Sequence, residues 1–110
     1  MIARIWHGTS DSERIDRYIE HLRERTLPQL ASIDGHRGVC VLRRPASATE
    51  VAVIVVTLWE SLEAIRGFAG DDAEAAVVPP EARALLTSWE ERTTHWDVAL
   101  LVDNVTQSER

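Results

Sequence analysis

Residues 51–58, Val-Ala-Val-Ile-Val-Val-Thr-Leu, are an almost unbroken run of β-branched and aliphatic side chains. A run of this length reads as a strand covered on both faces, and therefore central in its sheet. It stops at Trp59-Glu60-Ser61, after which Leu62, Ile65 and Phe68 recur at helical spacing. Ser61 is suited to cap that helix, Glu63 complements the dipole of its first turn, and Gly70 suits its stop. A central strand that turns directly into an amphipathic helix confines the chain to a layered architecture with helices packed on a sheet.

The flanking sequence supplies the other elements. Residues 2–7, Ile-Ala-Arg-Ile-Trp-His, read as a first strand with Ile2, Arg4 and Trp6 on one face and Ala3, Ile5 and His7 on the other. Ser10 and Glu13 have the spacing of a capping box. A helix is expected over residues 11–32, with Ile15, Tyr18, Ile19, Leu22 and Leu30 as its apolar stripe and Glu20-His21 off it in solvent. Pro28 is expected to kink this helix or to open a separate final turn. After the Asp34-Gly35 turn, residues 37–44 read as a second strand, with Val39, Val41 and Arg43 on one face and Cys40 and Leu42 on the other. Residues 45–49 then close a hairpin onto the central strand. A short helical piece is expected over 72–78, broken by Pro79-Pro80, with another turn over 81–86. Residues 93–102 read as the last strand.

The resulting order is strand, helix, strand, strand, helix, strand: an α+β, ferredoxin-like βαββαβ fold with a four-stranded antiparallel sheet. It occupies residues 1–103 as one domain, followed by a polar tail at 104–110. Both helices pack on one sheet face, which leaves the other face apolar and bare. Pairing two such faces makes a homodimeric α+β barrel. The chain has 110 residues and 45% apolar content, enough for one core. A net charge of −6, with no long basic run, argues against nucleic acid as a partner. A single cysteine, Cys40, excludes an internal disulfide and is read as a small core residue. No apolar run approaches the roughly 18 residues of a membrane helix, and the N-terminus has no charged region leading into an apolar signal core. The expectation is a cytoplasmic protein without membrane partners.

Trp59-Glu60-Ser61, Phe68-Ala69-Gly70-Asp71-Asp72 and His95-Trp96-Asp97-Val98, with Asp34-Gly35 before the second strand, give the chain its family likeness. It resembles the antibiotic biosynthesis monooxygenase domain family, the dimeric α+β barrel proteins. That resemblance implies a homodimer whose cavity takes a small hydrophobic, aromatic or polyketide-type molecule, and an oxygenation that needs no cofactor. The alternative is a non-catalytic binding or accessory protein of the same fold. Haem-degrading members carry an Asn on the first strand, a Trp on the second helix and a His about ten residues later. Phe68 and the neighbourhood of Val78 stand at the last two positions, and the first strand has no Asn, which disfavours haem chemistry. Anthrone-oxidising members place an Asn before the junction Trp and a Tyr after it. Val55 and Ile65 occupy those positions here, and only Trp59 is retained.

Cofactor-free oxygen insertion requires a donor to stabilise a substrate oxyanion and dry apolar walls around its aromatic body. His95, Trp59 and His7 are the candidate catalytic residues, and Arg4, Trp6, Trp96 and Phe68 the candidate substrate contacts. Each has a plainer alternative. Arg4 pairs with an acidic neighbour or with the partner subunit; His7 is an edge residue in solvent; the tryptophans are core or interface anchors. His7 and His95 lie on strands expected to be neighbours, and they lack a third ligand for a metal. Asp97 shares a strand face with His95 and could orient its imidazole. His36 reads as a loop residue.

Overall fold

The computed structural model describes residues 1–102. Asp103 and the expected polar tail lie outside the described residues. The fold is α+β, with one five-stranded antiparallel sheet. Its elements are β1 (Ile2–Asp11), α1 (Ile15–His21), a π-helical turn (Leu22–Thr26), α2 (Leu27–Ala31), β2 (His36–Pro45), β3 (Glu50–Trp59), α3 (Leu62–Ala69), α4 (Pro80–Arg83), β4 (Ser88–Trp89) and β5 (Thr94–Asp97). No described helix is long and apolar enough to cross a membrane.

The long aliphatic run is central, as expected: β3 lies between β2 and β1. β1 pairs with it along its whole length, from Ile2 opposite Trp59 to Asp11 opposite Glu50. This full pairing carries Ser10 into the strand. Its hydroxyl donates to the Leu85 carbonyl at 2.6 Å, so no capping box forms with Glu13. Asp11 does that work instead, its carboxylate accepting the amides of Glu13 and Arg14 at 3.1 and 2.8 Å.

Residues 15–31 form one continuous helical run. Pro28 has no amide to donate, and its ring crowds the preceding turn. The π-turn before it absorbs this: the Leu27 amide reaches back to the Leu22 carbonyl, and α2 begins with the proline in its first turn. α3 follows the sequence closely. The Ser61 hydroxyl accepts the Ala64 amide at 3.1 Å, and Gly70 ends the helix at φ 89°, a conformation that favours glycine.

Two expectations fail in the C-terminal third, for a shared reason. Residues 72–78 are an irregular strap, not a helix, and the last strand is split. β4 and β5 both pair with the free edge of β1, but two residues out of register with each other. That is why the sheet has five strands and not four. Of the residues between them, Glu90 still donates its amide to the His7 carbonyl, while 91–93 leave the ladder and bond the strap. The Ala76 amide donates to the Glu91 carbonyl at 2.9 Å, the Thr93 amide to the Glu74 carbonyl at 2.7 Å, and Ala75 bridges Arg92. Backbone groups satisfied across this gap are not available for a helix. Beyond Asp97, among the described residues, the Val98 amide donates to the carbonyl of Met1, just ahead of β1 (2.9 Å), and residues 98–102 do not continue the strand.

All helices cover one sheet face. Trp6, Ile15, Tyr18, Leu22, Val53, Ala82 and Leu86 form one buried cluster, and Leu30, Trp59, Ile65 and Ala73 a second. No described element covers the other face. Across its strands run the rows Trp96–Ala3–Leu58–Gly38 and Thr94–Ile5–Val56–Cys40, followed by His7–Ile54–Leu42. Cys40 is therefore exposed on the open face, not in the core, because β2 is an edge strand.

Gly8 is required by packing: a Cβ there would run into the six-membered ring of the Trp6 indole. Gly8→Ala should destabilise the fold by about 1–3 kcal/mol through overpacking, read as a lowered urea midpoint at unchanged slope.

Candidate functional site

The period-two pattern of β1 sends Arg4 and Trp6 under the helices, and the same alternation in β3 sends Val55 and Thr57 beside them. Phe68 comes down from the last turn of α3, while Tyr18, His21 and Leu22 come from the first helical run. The strap and α4 close the space with Val77, Val78, Pro79 and Ala82. These residues line an inner cavity of about 60 Å³. That volume holds a small polar head group or a few waters, well below the ~300–1,000 Å³ of a pocket enclosing a drug-sized ligand.

Arg4 dominates this cavity. It is 5% exposed. Its Nη2 donates to the Ala75 carbonyl at 2.6 Å, and its Nε makes a longer 3.5 Å contact with the Ala73 carbonyl. The guanidinium also lies over the Phe68 ring, 5.6 Å from the centroid. No carboxylate forms an ion pair with it among the described residues. Burial lowers its pKa to about 10, which still leaves it charged at neutral pH. The acidic neighbour weighed from the sequence is thus replaced by two backbone carbonyls of the strap. Glu74 and Asp72, the acids of the strap, are held by Arg92 at 3.2 and 2.6 Å.

Trp6 lines the cavity and donates its Nε1 to the Glu90 carbonyl at 3.0 Å. Trp59 is fully buried next to it rather than in its wall. It stacks on Phe68 at 6.1 Å and donates Nε1 to the Thr57 hydroxyl at 2.8 Å. His95 pairs across strands with Arg4, on the same face, and its Nε2 approaches the Thr93 hydroxyl at 3.4 Å, but it does not line the cavity. Burial first, and then the charge of Arg4, lower its pKa. Asp97 is exposed, and no hydrogen bond or ion pair joins it to His95 among the described residues.

The expected approach of His7 to His95 does not occur. His7 sits on the opposite face, because odd and even positions of β1 point apart, and its carbonyl accepts the Glu90 amide. There it lines a wide groove of about 550 Å³ with Leu42, Arg44, Ile54 and Ser88. Trp96 is also on the open face, 61% exposed, opposite Ala3. Of the seven candidates, then, Arg4, Trp6 and Phe68 converge on one cavity; Trp59 and His95 adjoin them; His7 and Trp96 do not. No group of three or more His, Cys, Asp or Glu gathers at metal-binding distance among the described residues.

Two histidines were misplaced by the sequence reading. His21 is a cavity residue: its ring stacks on Tyr18 at 6.4 Å, and its Nε2 is buried without a partner. The signal was its spacing of three from Tyr18, which puts it at the edge of the apolar stripe. His36 begins β2 and packs edge-on against Trp59 at 5.1 Å, its Nε2 likewise buried and unpartnered. Burial lowers its pKa.

No family model matches the chain. Two curated proteins, the uncharacterized proteins MT2635 and Rv2558 from two strains of Mycobacterium tuberculosis, are each 33% identical to it over 87 residues. The match covers 79% of this chain and 34% of each relative, so the chain spans about a third of the length of the curated relatives it matches.

Thr57→Val should cost about 1–3 kcal/mol, because it strands the buried Trp59 Nε1 donor, and chemical denaturation reads the loss. The pH dependence follows from His36 and His95, whose folded pKa values lie below the ordinary 6.5. Below that value the unfolded chain takes up protons that the folded chain resists, so stability is full above 6.5 and falls as pH drops toward the lowered folded values. Thermal melts across this range should show the decline, and His36→Phe should flatten it.

Proposed function

We propose that this chain is a ferredoxin-like, homodimeric α+β barrel protein of the antibiotic biosynthesis monooxygenase kind. In this reading its inner cavity takes the enol or phenol of a small aromatic or polyketide-type molecule, which it oxygenates without a cofactor. The convergence of Arg4, Trp6 and Phe68 on one cavity carries the reading. The family resemblance adds to it. Val55 and Val78, at or beside positions where family members carry functional residues, line the same cavity as Phe68. The strand order β2-β3-β1, with the split β4 and β5 on the outer edge of β1, supports the ferredoxin-like topology.

The chemistry asks little of the protein beyond placement. For an anthrone-type substrate the enolate, formed by loss of a proton to water, gives dioxygen an electron and the radicals join as a carbon-bound peroxide; loss of the second C–H proton breaks the O–O bond, so CH2 becomes C=O, the substrate supplies all four electrons and the other oxygen leaves as water, with the oxyanion stabilised in a dry site. Arg4 supplies the opposing positive charge, Phe68 and Trp6 the flat apolar walls, and Trp59 fixes the Phe68 ring from behind. His95 sits across from Arg4 and outside the cavity, where the charge of Arg4 lowers its pKa after burial does.

The bare sheet face supports the dimer. Leu42 and Trp96 are 48% and 61% exposed there, beside Ile5, Ile54, Val56 and Leu58. Buried against a second copy, this surface contributes about 25 cal/mol per Å² of apolar area. A second reading, a binding protein without catalysis, is favoured by one observation: Val55 and Ile65 stand where anthrone-oxidising members carry Asn and Tyr.

Oxygen uptake by the metal-free protein with a panel of anthrones and hydroquinones should be measurable, and Trp6→Phe should lower it about tenfold or more, equivalent to ~1.4 kcal/mol of lost placement. No uptake with any member, alongside binding of the same compounds, favours the non-catalytic reading. Light scattering should give twice the 12.4 kDa chain mass, and Ile54→Arg should return it to one chain. A wild-type monomer contradicts the barrel.

A further inference from the structure

We infer that the inner cavity binds its ligand as an organic monoanion, the charged oxygen seated on Arg4 with the His21 imidazole as second polar contact. This rests on the inner cavity being the ligand site.

Arg4 is a cation removed from water with no counter-ion among the described residues. A guanidinium has five N–H donors, and the carbonyls of Ala75 and Ala73 engage only two of its nitrogens. The carbonyls satisfy hydrogen bonds but supply no net charge. A buried charge in this condition is costly unless paired, and the group that removes the cost is an anion. Water entering the cavity would solvate the remaining donors without neutralising them. A metal ion would be repelled.

His21 supplies an independent observation. Its Nε2 is buried and unpartnered, and the residue belongs to the cavity wall, reached from the helical layer while Arg4 reaches it from the sheet. Tyr18, which stacks on it, makes no side-chain hydrogen bond among the described residues and also lines the cavity. Two polar groups on opposite walls of a space of about 60 Å³ fit one small head group between them. Leu22, Val77, Val78 and Pro79 complete the wall, so the atoms that carry the charged oxygen are bounded by apolar groups. One uncompensated positive charge matches one negative charge, which selects a carboxylate or an ionised enol over a phosphate dianion.

Four probes test this at neutral pH, by titration calorimetry and by the side-chain 15N resonances of His21. They are benzoate, its neutral counterpart benzamide, 1,3-cyclohexanedione as its enolate, and neutral cyclohexanone. At least one anion should bind about tenfold or more tighter than its neutral counterpart, and it should shift the His21 Nε2 resonance. Benzoate alone binding assigns a carboxylic acid; the enolate alone binding assigns an ionised enol. Arg4→Met should abolish the preference, and Arg4→Lys should keep part of it. His21→Phe, which breaks no hydrogen bond of the fold, should weaken the anion severalfold while leaving thermal stability in place. Equal binding of anion and neutral counterpart, no binding of any probe, or an unmoved His21 resonance overturns the inference. Oxygen uptake without anion preference removes this inference and leaves the proposed oxygenation standing; anion preference without oxygen uptake does the reverse.

Discussion

A buried guanidinium holds the two halves of this chain together. Arg4 rises from the first strand and bonds carbonyls of the strap more than sixty residues later, at Ala73 and Ala75. The strap is irregular, with Ala73 in one buried cluster and Ala76 and Val78 packed on the other. Further ties come from the gap between β4 and β5, where the Thr93 amide and hydroxyl meet the Glu74 carbonyl, the Glu91 carbonyl accepts the Ala76 amide and Arg92 holds Asp72 and Glu74, and from Arg83 on the Val78 carbonyl. Those ion pairs are exposed and worth little each. The Arg4 guanidinium is 5% exposed and Thr93 4%, so their bonds to the Ala75 and Glu74 carbonyls, with the packing of Ala73, Ala76 and Val78, set where the strap lies and hence the roof of the cavity.

The same constraint explains the broken last strand. β4 and β5 form the outer edge of the sheet, two residues out of register with each other, and between them Glu91, Arg92 and Thr93 turn backbone groups to the strap. The Trp6 indole then bonds the Glu90 carbonyl in that gap, and Gly8 leaves room for its ring. Cavity wall, bulge and strap are therefore one arrangement, and a change in any of them is felt at the site.

Much of this was legible in the sequence. The hydrophobic run of β3, the Ser61 cap, the Gly70 stop and the faces of β1 all follow from local rules that tertiary packing did not override. The convergence of Arg4, Trp6 and Phe68 was partly legible, since period two in β1 already put the first two on one face. What sequence could not supply was long-range. Ser10 looks like a cap until β3 claims its whole strand; residues 72–78 look helical until the gap in the fourth position takes their backbone bonds; His7 and His95 look like neighbours until the register puts them on opposite faces. His21 was missed because it lies among charged residues, although the step from Tyr18 to His21 follows the helix.

The central claim is that Arg4 is a charged, sealed group fixed to the strap, and its own N–H protons report on it most directly. Side-chain 15N NMR should show distinct, slowly exchanging Arg4 Nη resonances with a through-hydrogen-bond coupling to the Ala75 carbonyl. A single averaged Nη signal in rapid exchange with water would contradict the account, because the guanidinium would then be mobile and wet, and neither the strap nor the cavity would depend on it.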